Sequence, residues 1–176
     1  MYHMIHNYTG YRILRLFFDY PTKGFQLREI CRMAKLGMPS VKLHIKRLEN
    51  EGFVKMEKTG VYASYRASKN ERFRRYKLGD MLLRLYDSGF VDFLENEFSP
   101  NAVVLFGSAS RGEDTERSDI DILILAKEKE IELKEYESSL KRKISIMFES
   151  DVRKLPKELR NNVINGIVVY GYLKVF

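Results

Sequence analysis

The sequence predicts an α+β chain: helices and a hairpin in its first third, a helical connector, and a C-terminal mixed sheet with flanking helices. Three observations lead there. Apolar residues recur at helical spacing between Tyr11 and Leu48, and strand-forming runs flank a turn at Thr59-Gly60. Two continuous apolar runs, 102–106 and 120–125, read as buried strands. The boundaries drawn from this pattern are 1–69, 70–98 and 99–176.

Ile13, Leu16, Phe17 and Tyr20 follow the i, i+3, i+4, i+7 pattern of a helix closed by Pro21. Leu27, Ile30, Cys31 and Ala34 repeat that spacing. After Leu36-Gly37-Met38 a third helix opens at Pro39-Ser40, buries Val41, Ile45 and Leu48, and ends at Glu51-Gly52. Residues 53–58 and 61–67 then read as the two strands of a hairpin. Over residues 8–68, with Phe25-Gln26-Leu27-Arg28-Glu29-Ile30 and 41–48 as its centre, this order resembles the winged helix-turn-helix domain of prokaryotic transcription regulators.

That resemblance implies double-stranded DNA as a partner. Burial of Val41, Ile45 and Leu48 leaves Lys42, Leu43, Lys46 and Arg47 outward, with Ser40 near the helix start, a surface suited to a major groove. Lysines there would hold phosphates, Ser40, Leu43 and Arg47 would touch base edges, and Lys58 at the hairpin tip would reach the backbone or the neighbouring groove. Charge agrees with this division. Residues 1–69 carry 13 Lys/Arg against 5 Asp/Glu, whereas residues 100–176 carry 13 of each, so the excess behind the chain's net +7 is confined to the first part.

Residues 70–98 lack proline and place Phe73, Tyr76, Met81, Leu82, Leu85 and Phe90 at near-helical spacings, which predicts a long helix broken at Ser88-Gly89. Its apolar content exceeds what a solvated linker needs. Packing on the same chain and a homodimer contact are the two uses of that face.

The chemistry concentrates in Leu105-Phe106-Gly107-Ser108-Ala109-Ser110-Arg111-Gly112 and in Ser118-Asp119-Ile120-Asp121-Ile122-Leu123-Ile124. A Gly-Ser turn after a buried strand directs backbone amides at an anion, and phosphate is the natural occupant. Asp119 and Asp121, two residues apart, fall on one face of the second strand. Two carboxylates beside a phosphate site are what Mg²⁺ requires, since it takes one or two carboxylates and completes its shell with substrate oxygens.

In their order, Gly107-Ser108, Arg111-Gly112 and Ser118-Asp119-Ile120-Asp121 resemble the signature of the DNA polymerase beta-like nucleotidyltransferases, most of all their minimal prokaryotic form. The resemblance covers residues 100–176. It implies a nucleotidyltransferase fold, an NTP as substrate or ligand, and Mg²⁺ or Mn²⁺ as cofactor. Gly107, Ser108 and Arg111 would then bind nucleotide, and Asp119 and Asp121 would be the catalytic metal ligands. Members of this family also pair with a small helical protein, which makes such a partner and a toxin-antitoxin type role expectations by analogy.

Active members place a third carboxylate on a later strand. Here that strand is 144–148, with Ile144, Ile146 and Phe148 on one face, and Ser145 stands at the acidic position. A neutral hydroxyl is a weak metal ligand and a poor general base. Glu149 would join the site only through a bulge. Two functions therefore remain: a DNA-binding regulator whose transferase-like domain binds NTP, and an active enzyme transferring a nucleoside monophosphate to a hydroxyl on protein, RNA or a small molecule.

Other features narrow the class. Cys31 lies on the apolar face of the second helix and reads as core, which suits a reducing cytoplasm. No apolar run is long enough to span a membrane, and the first residues lack a signal peptide pattern. His3 and His6 lack supporting ligands for a metal, and His44 flanks the buried stripe of the third helix. A final helix stopped at Asn165-Gly166 leads into an apolar segment, 167–170, readable as a packed strand or a short tail.

Overall fold

A computed structural model describes residues 8–59 and 62–175. His3 and His6 lie outside the described residues, as does Gly60 of the expected hairpin turn. The chain divides into two compact units, 1–77 and 78–176, and the division falls within one helix, Glu71–Asp87.

The first unit contains α1 (Thr9–Asp19), α2 (Leu27–Ala34), α3 (Met38–Asn50), and a hairpin of β1 (Val54–Thr59) and β2 (Tyr62–Ala67). The apolar stripes of the three helices close on one core around Ile13, Phe17, Phe25, Ile30, Val41 and Ile45. The T-shaped packing of Phe17 on Phe25, with ring centroids 5.3 Å apart, exemplifies its geometry. Phe25 also exchanges backbone hydrogen bonds with Tyr65, at 2.9 and 2.8 Å, so the segment between α1 and α2 is tied to the hairpin. At the end of α2 Lys35 is left-handed and the Leu36 N–H donates to the Cys31 carbonyl at 3.0 Å, turning the chain sharply into α3. Cys31 is half-buried against this core, with its Sγ 4.0 Å from the Met38 sulfur.

Helix α4 is Glu71–Asp87, and Gly89, with φ +72°, separates it from α5 (Phe90–Phe98). The second unit then forms β3 (Ala102–Phe106), β4 (Ile120–Leu125), α6 (Lys134–Leu140), β5 (Ile144–Glu149), α7 (Lys157–Ile164) and β6 (Ile167–Gly171). The strand order is β5-β4-β3-β6, with β4 and β5 parallel and β3 antiparallel to both its neighbours. The apolar segment after Gly166 is thus an edge strand.

Apolar residues cover both faces of this sheet because the two central strands are apolar almost throughout. Val103, Leu105, Ile122 and Ile124 pack with Leu85, Phe90 and Leu94 on one face. Val104, Leu123 and Leu125 pack with Val152 and Val163 on the other. The glycine stop of α7 has a steric cause: a side chain at Gly166 would strike the Leu105 carbonyl. Among the described residues no helix is long and apolar enough to cross a membrane.

Candidate nucleotide and metal site

The site grows from the end of β3. Phe106 is the cross-strand partner of Asp121, so the next residue, Gly107, turns directly over the Asp121 side chain. Gly107 has φ +71°, and a Cβ built on it would overlap the Asp121 carboxylate. Glycine is required twice here, by backbone conformation and by the approach of a carboxylate.

Ser108 follows in the right-handed helical region, so a left-handed residue precedes a right-handed one, the succession that forms an anion-binding nest of amides. The buried Ser110 hydroxyl donates to the Gly107 carbonyl at 2.8 Å and fixes the turn. The helical part is a single 3₁₀ turn, Ala109–Arg111. The Arg111 Nε donates to Glu113 at 2.9 Å, an exposed pair of small energetic weight.

Asp119 immediately precedes β4 and Asp121 is its second residue, so both carboxylates fall on one side of the chain. Asp119 is exposed and Asp121 half-buried. Burial, and secondarily the charge of Asp119, raise the Asp121 pKa above its ordinary value. Close anionic charge of this kind is relieved by a divalent cation. The preceding loop is braced by the Ser118 hydroxyl, which accepts the Thr115 N–H at 2.9 Å. Asp114, in the same loop, is buried, and the motif reading passed over it.

The parallel ladder of β4 and β5 places Ser145 opposite Asp121. Phe106, Asp121 and Ser145 therefore form one row across three strands. Ser145 is exposed, while Ile144, Ile146 and Phe148 pack on the other face. Glu149 corrects the sequence expectation. The ladder is regular from Ile120↔Ile144 to Leu125↔Glu149, so Glu149 shares the face of Ser145 without a bulge. It lies four residues along the strand, roughly 13 Å away, and its carboxylate accepts the Ser150 N–H at 2.7 Å.

The donor set fits one Mg²⁺ held by two carboxylates and completed by phosphate oxygens. Among the described residues no group of three or more Asp, Glu, His or Cys side chains is placed to hold a metal. At the third position a hydroxyl stands in the row with Asp121.

Residues 90–173 match the family model Polbeta, described as Polymerase beta, Nucleotidyltransferase. The match contains the whole sheet, the Gly107-Ser108 turn and both aspartates, and it supports a nucleotidyltransferase domain in this unit. The mixed sheet with helices on its faces fits that fold. No curated protein and no solved structure gives a significant match to the chain.

The remaining sequence-derived residues belong to the first unit. On α3, Lys42, Leu43, Lys46 and Arg47 are exposed and Ser40 is half-buried, while Val41, Ile45 and Leu48 face the core. Lys58 is exposed near the end of β1. His44 is half-buried, with its ring 6.0 Å from that of Tyr8; partial burial and then Arg47 lower its pKa.

Proposed function

We propose that this is a cytoplasmic DNA-binding regulator in which a winged helix-turn-helix domain is joined to a nucleotidyltransferase-type domain that binds an NTP with Mg²⁺ or Mn²⁺ and transfers its nucleotidyl group weakly. The observation that carries the reading is the row Phe106, Asp121, Ser145. It retains the paired carboxylates and lacks an anionic group where proton removal from an acceptor hydroxyl would be expected.

The residues divide the work. Amides of the Gly107-Ser108 turn would receive the polyphosphate, and Asp119 and Asp121 would hold the cation. When bound, the cation neutralises phosphate charge and makes the phosphorus more electrophilic. Gly107 keeps the Asp121 carboxylate next to the turn, so the anion site and the metal ligands are positioned together. Ser145 can hydrogen-bond a ligand hydroxyl but takes up no proton at neutral pH.

In the first unit, support for DNA contact comes from three helices followed by a hairpin, with exposed cations on α3. Lys42, Lys46 and Arg47 supply phosphate affinity, Ser40, Leu43 and Arg47 base-edge contacts, and Lys58 a contact from the hairpin. A homodimer on operator DNA is part of this proposal.

A second reading, an active transferase, is favoured by the intact fit of Gly107 over Asp121. Incubation with each α-labelled NTP, Mg²⁺ or Mn²⁺ and cell extract, using the unaltered chain and Ser145→Asp, separates the two. Little transfer by the unaltered chain and a gain in Ser145→Asp supports the regulator. Robust transfer that disappears in Asp119→Asn/Asp121→Asn establishes the enzyme instead, and NTP·Mg²⁺ affinity unaffected by that double substitution removes the site altogether.

A further inference from the structure

A cavity of about 550 Å³ opens on the β5 side of the aspartates. Its walls bring together five cations that are dispersed in the sequence, Arg117 before β4, Lys134 on α6, and Lys141, Arg142 and Lys143 between α6 and β5. Three acids share the lining. Asp119 belongs to the metal pair, and Glu137 is engaged within the fold, its carboxylate accepting the Ile144 N–H at 3.0 Å. Glu116 is the third. With Asp119 neutralised by a cation, the cavity has a clear positive surplus and suits a phosphate group.

The cavity is separate from the nucleotide turn. Gly107, Ser108 and Arg111 do not line it, and Asp119 is the residue common to the cavity and the aspartate pair. Strand order explains the arrangement: the Gly107 turn leaves β3 on one flank of β4, while Lys143 enters β5 on the other. In an in-line displacement at phosphorus, the entering and leaving oxygens lie on opposite sides. A polyphosphate on the turn therefore leaves the cavity flank for the second reactant.

We propose that this cavity binds a phosphate-bearing hydroxyl compound in the acceptor position, with its phosphate among Arg117, Lys134 and Lys143 and its hydroxyl toward Asp119. The term acceptor rests on the NTP reading above, whereas the phosphate site stands without it. In a transfer the hydroxyl oxygen bonds to the α-phosphorus, the bond from that phosphorus to the pyrophosphate oxygen breaks, and the hydroxyl proton passes to water.

Titration calorimetry on the full chain tests this with two matched pairs: ribose 5-phosphate against ribose, and a ribotrinucleotide with and without a 5′-phosphate. The protein is used unaltered and as Arg117→Ala/Lys143→Ala, both exposed positions, with the melting temperature confirming the fold. In each pair the phosphorylated member is expected to bind at least about tenfold tighter, and the double substitution to remove about tenfold of that affinity. ATP·Mg²⁺ affinity should stay within about twofold, because the turn and Asp121 are untouched. Tighter binding of ribose 5-phosphate assigns a small phosphorylated compound, and tighter binding of the trinucleotide assigns an RNA end. Equal affinity within both pairs, unchanged affinity in the double variant, or displacement of ribose 5-phosphate by ATP·Mg²⁺ overturns the proposal. Loss of the NTP reading appears elsewhere, as ATP·Mg²⁺ affinity indifferent to Asp121→Asn.

Discussion

Gly107→Ala separates backbone strain from the crowding of a metal ligand, because the fold contains a built-in control. Gly107 and Gly89 have nearly the same φ, +71° and +72°, yet a Cβ at Gly89 meets nothing within 4 Å while one at Gly107 overlaps the Asp121 carboxylate. A left-handed non-glycine residue costs about 1–2 kcal/mol, and this is the whole expected effect of Gly89→Ala. Gly107→Ala adds the displacement of Asp121 from its rotamer, about 0.5–1.5 kcal/mol, for a total of about 2–3 kcal/mol. In a unit of about 100 residues the extra kcal/mol lowers the melting temperature by roughly 4–8 °C beyond Gly89→Ala. Thermal unfolding by circular dichroism reads this directly. Repeating Gly107→Ala in an Asp121→Ala background should abolish the extra loss, leaving only the backbone cost. Gly107→Ala should also weaken ATP·Mg²⁺ binding while Gly89→Ala leaves it unchanged. Equal losses for the two glycine substitutions in both backgrounds would refute the argument that the turn and the carboxylate are fitted to each other.

Three further outcomes are expected. Lys46→Ala/Arg47→Ala should weaken DNA binding and lower the slope of log K against log salt by about 2; an unchanged slope in fluorescence anisotropy removes α3 from the DNA surface. Asp80 and Arg84 are both buried, with 3.6 Å between their charged atoms, and Arg84 also donates to the Leu140 carbonyl. Asp80→Ala should therefore cost about 3 kcal/mol or more in chemical denaturation, and a loss under about 1 kcal/mol contradicts this. Asp151 accepts from the Arg153 side chain and backbone N–H, which holds its pKa at about 2. Its folded pKa lies below the ordinary value of 3.8, so its contribution to stability is present above pH 3.8 and is lost as pH falls through about 2. An NMR titration of the carboxyl with a midpoint near 3.8 would show the pairing to be absent.

Legibility in the sequence followed the range of the forces involved. The β3 and β4 runs were readable because a strand apolar on both faces has few alternatives. Asp119 and Asp121 were readable as a pair because a side-chain period of two is local geometry. Glu149 shows where that reasoning slipped: alternation alone already put it on the face of Ser145, and only the ladder opposite Leu125 revealed that distance, not direction, keeps it out of the site. The short helix after Gly107 proved to be one 3₁₀ turn, closed by left-handed Gly112.

The cavity cations illustrate what no motif records. Arg117, Lys134 and Lys143 belong to three separate segments, and in sequence each reads as ordinary surface charge. The run Lys141-Arg142-Lys143 was the one local signal, and Arg142 is in fact buried.

By itself, then, the sequence determined the elements, the strand faces, the Gly-Ser turn and the two carboxylates, because these depend on spacing within a few residues. Tertiary structure decided that β5 lies parallel to β4 with Ser145 opposite Asp121, that Gly107 is needed to admit a carboxylate, and that five distant cations line one cavity. Those facts depend on strand order and register, which are set by how apolar faces close over the sheet and not by any single segment.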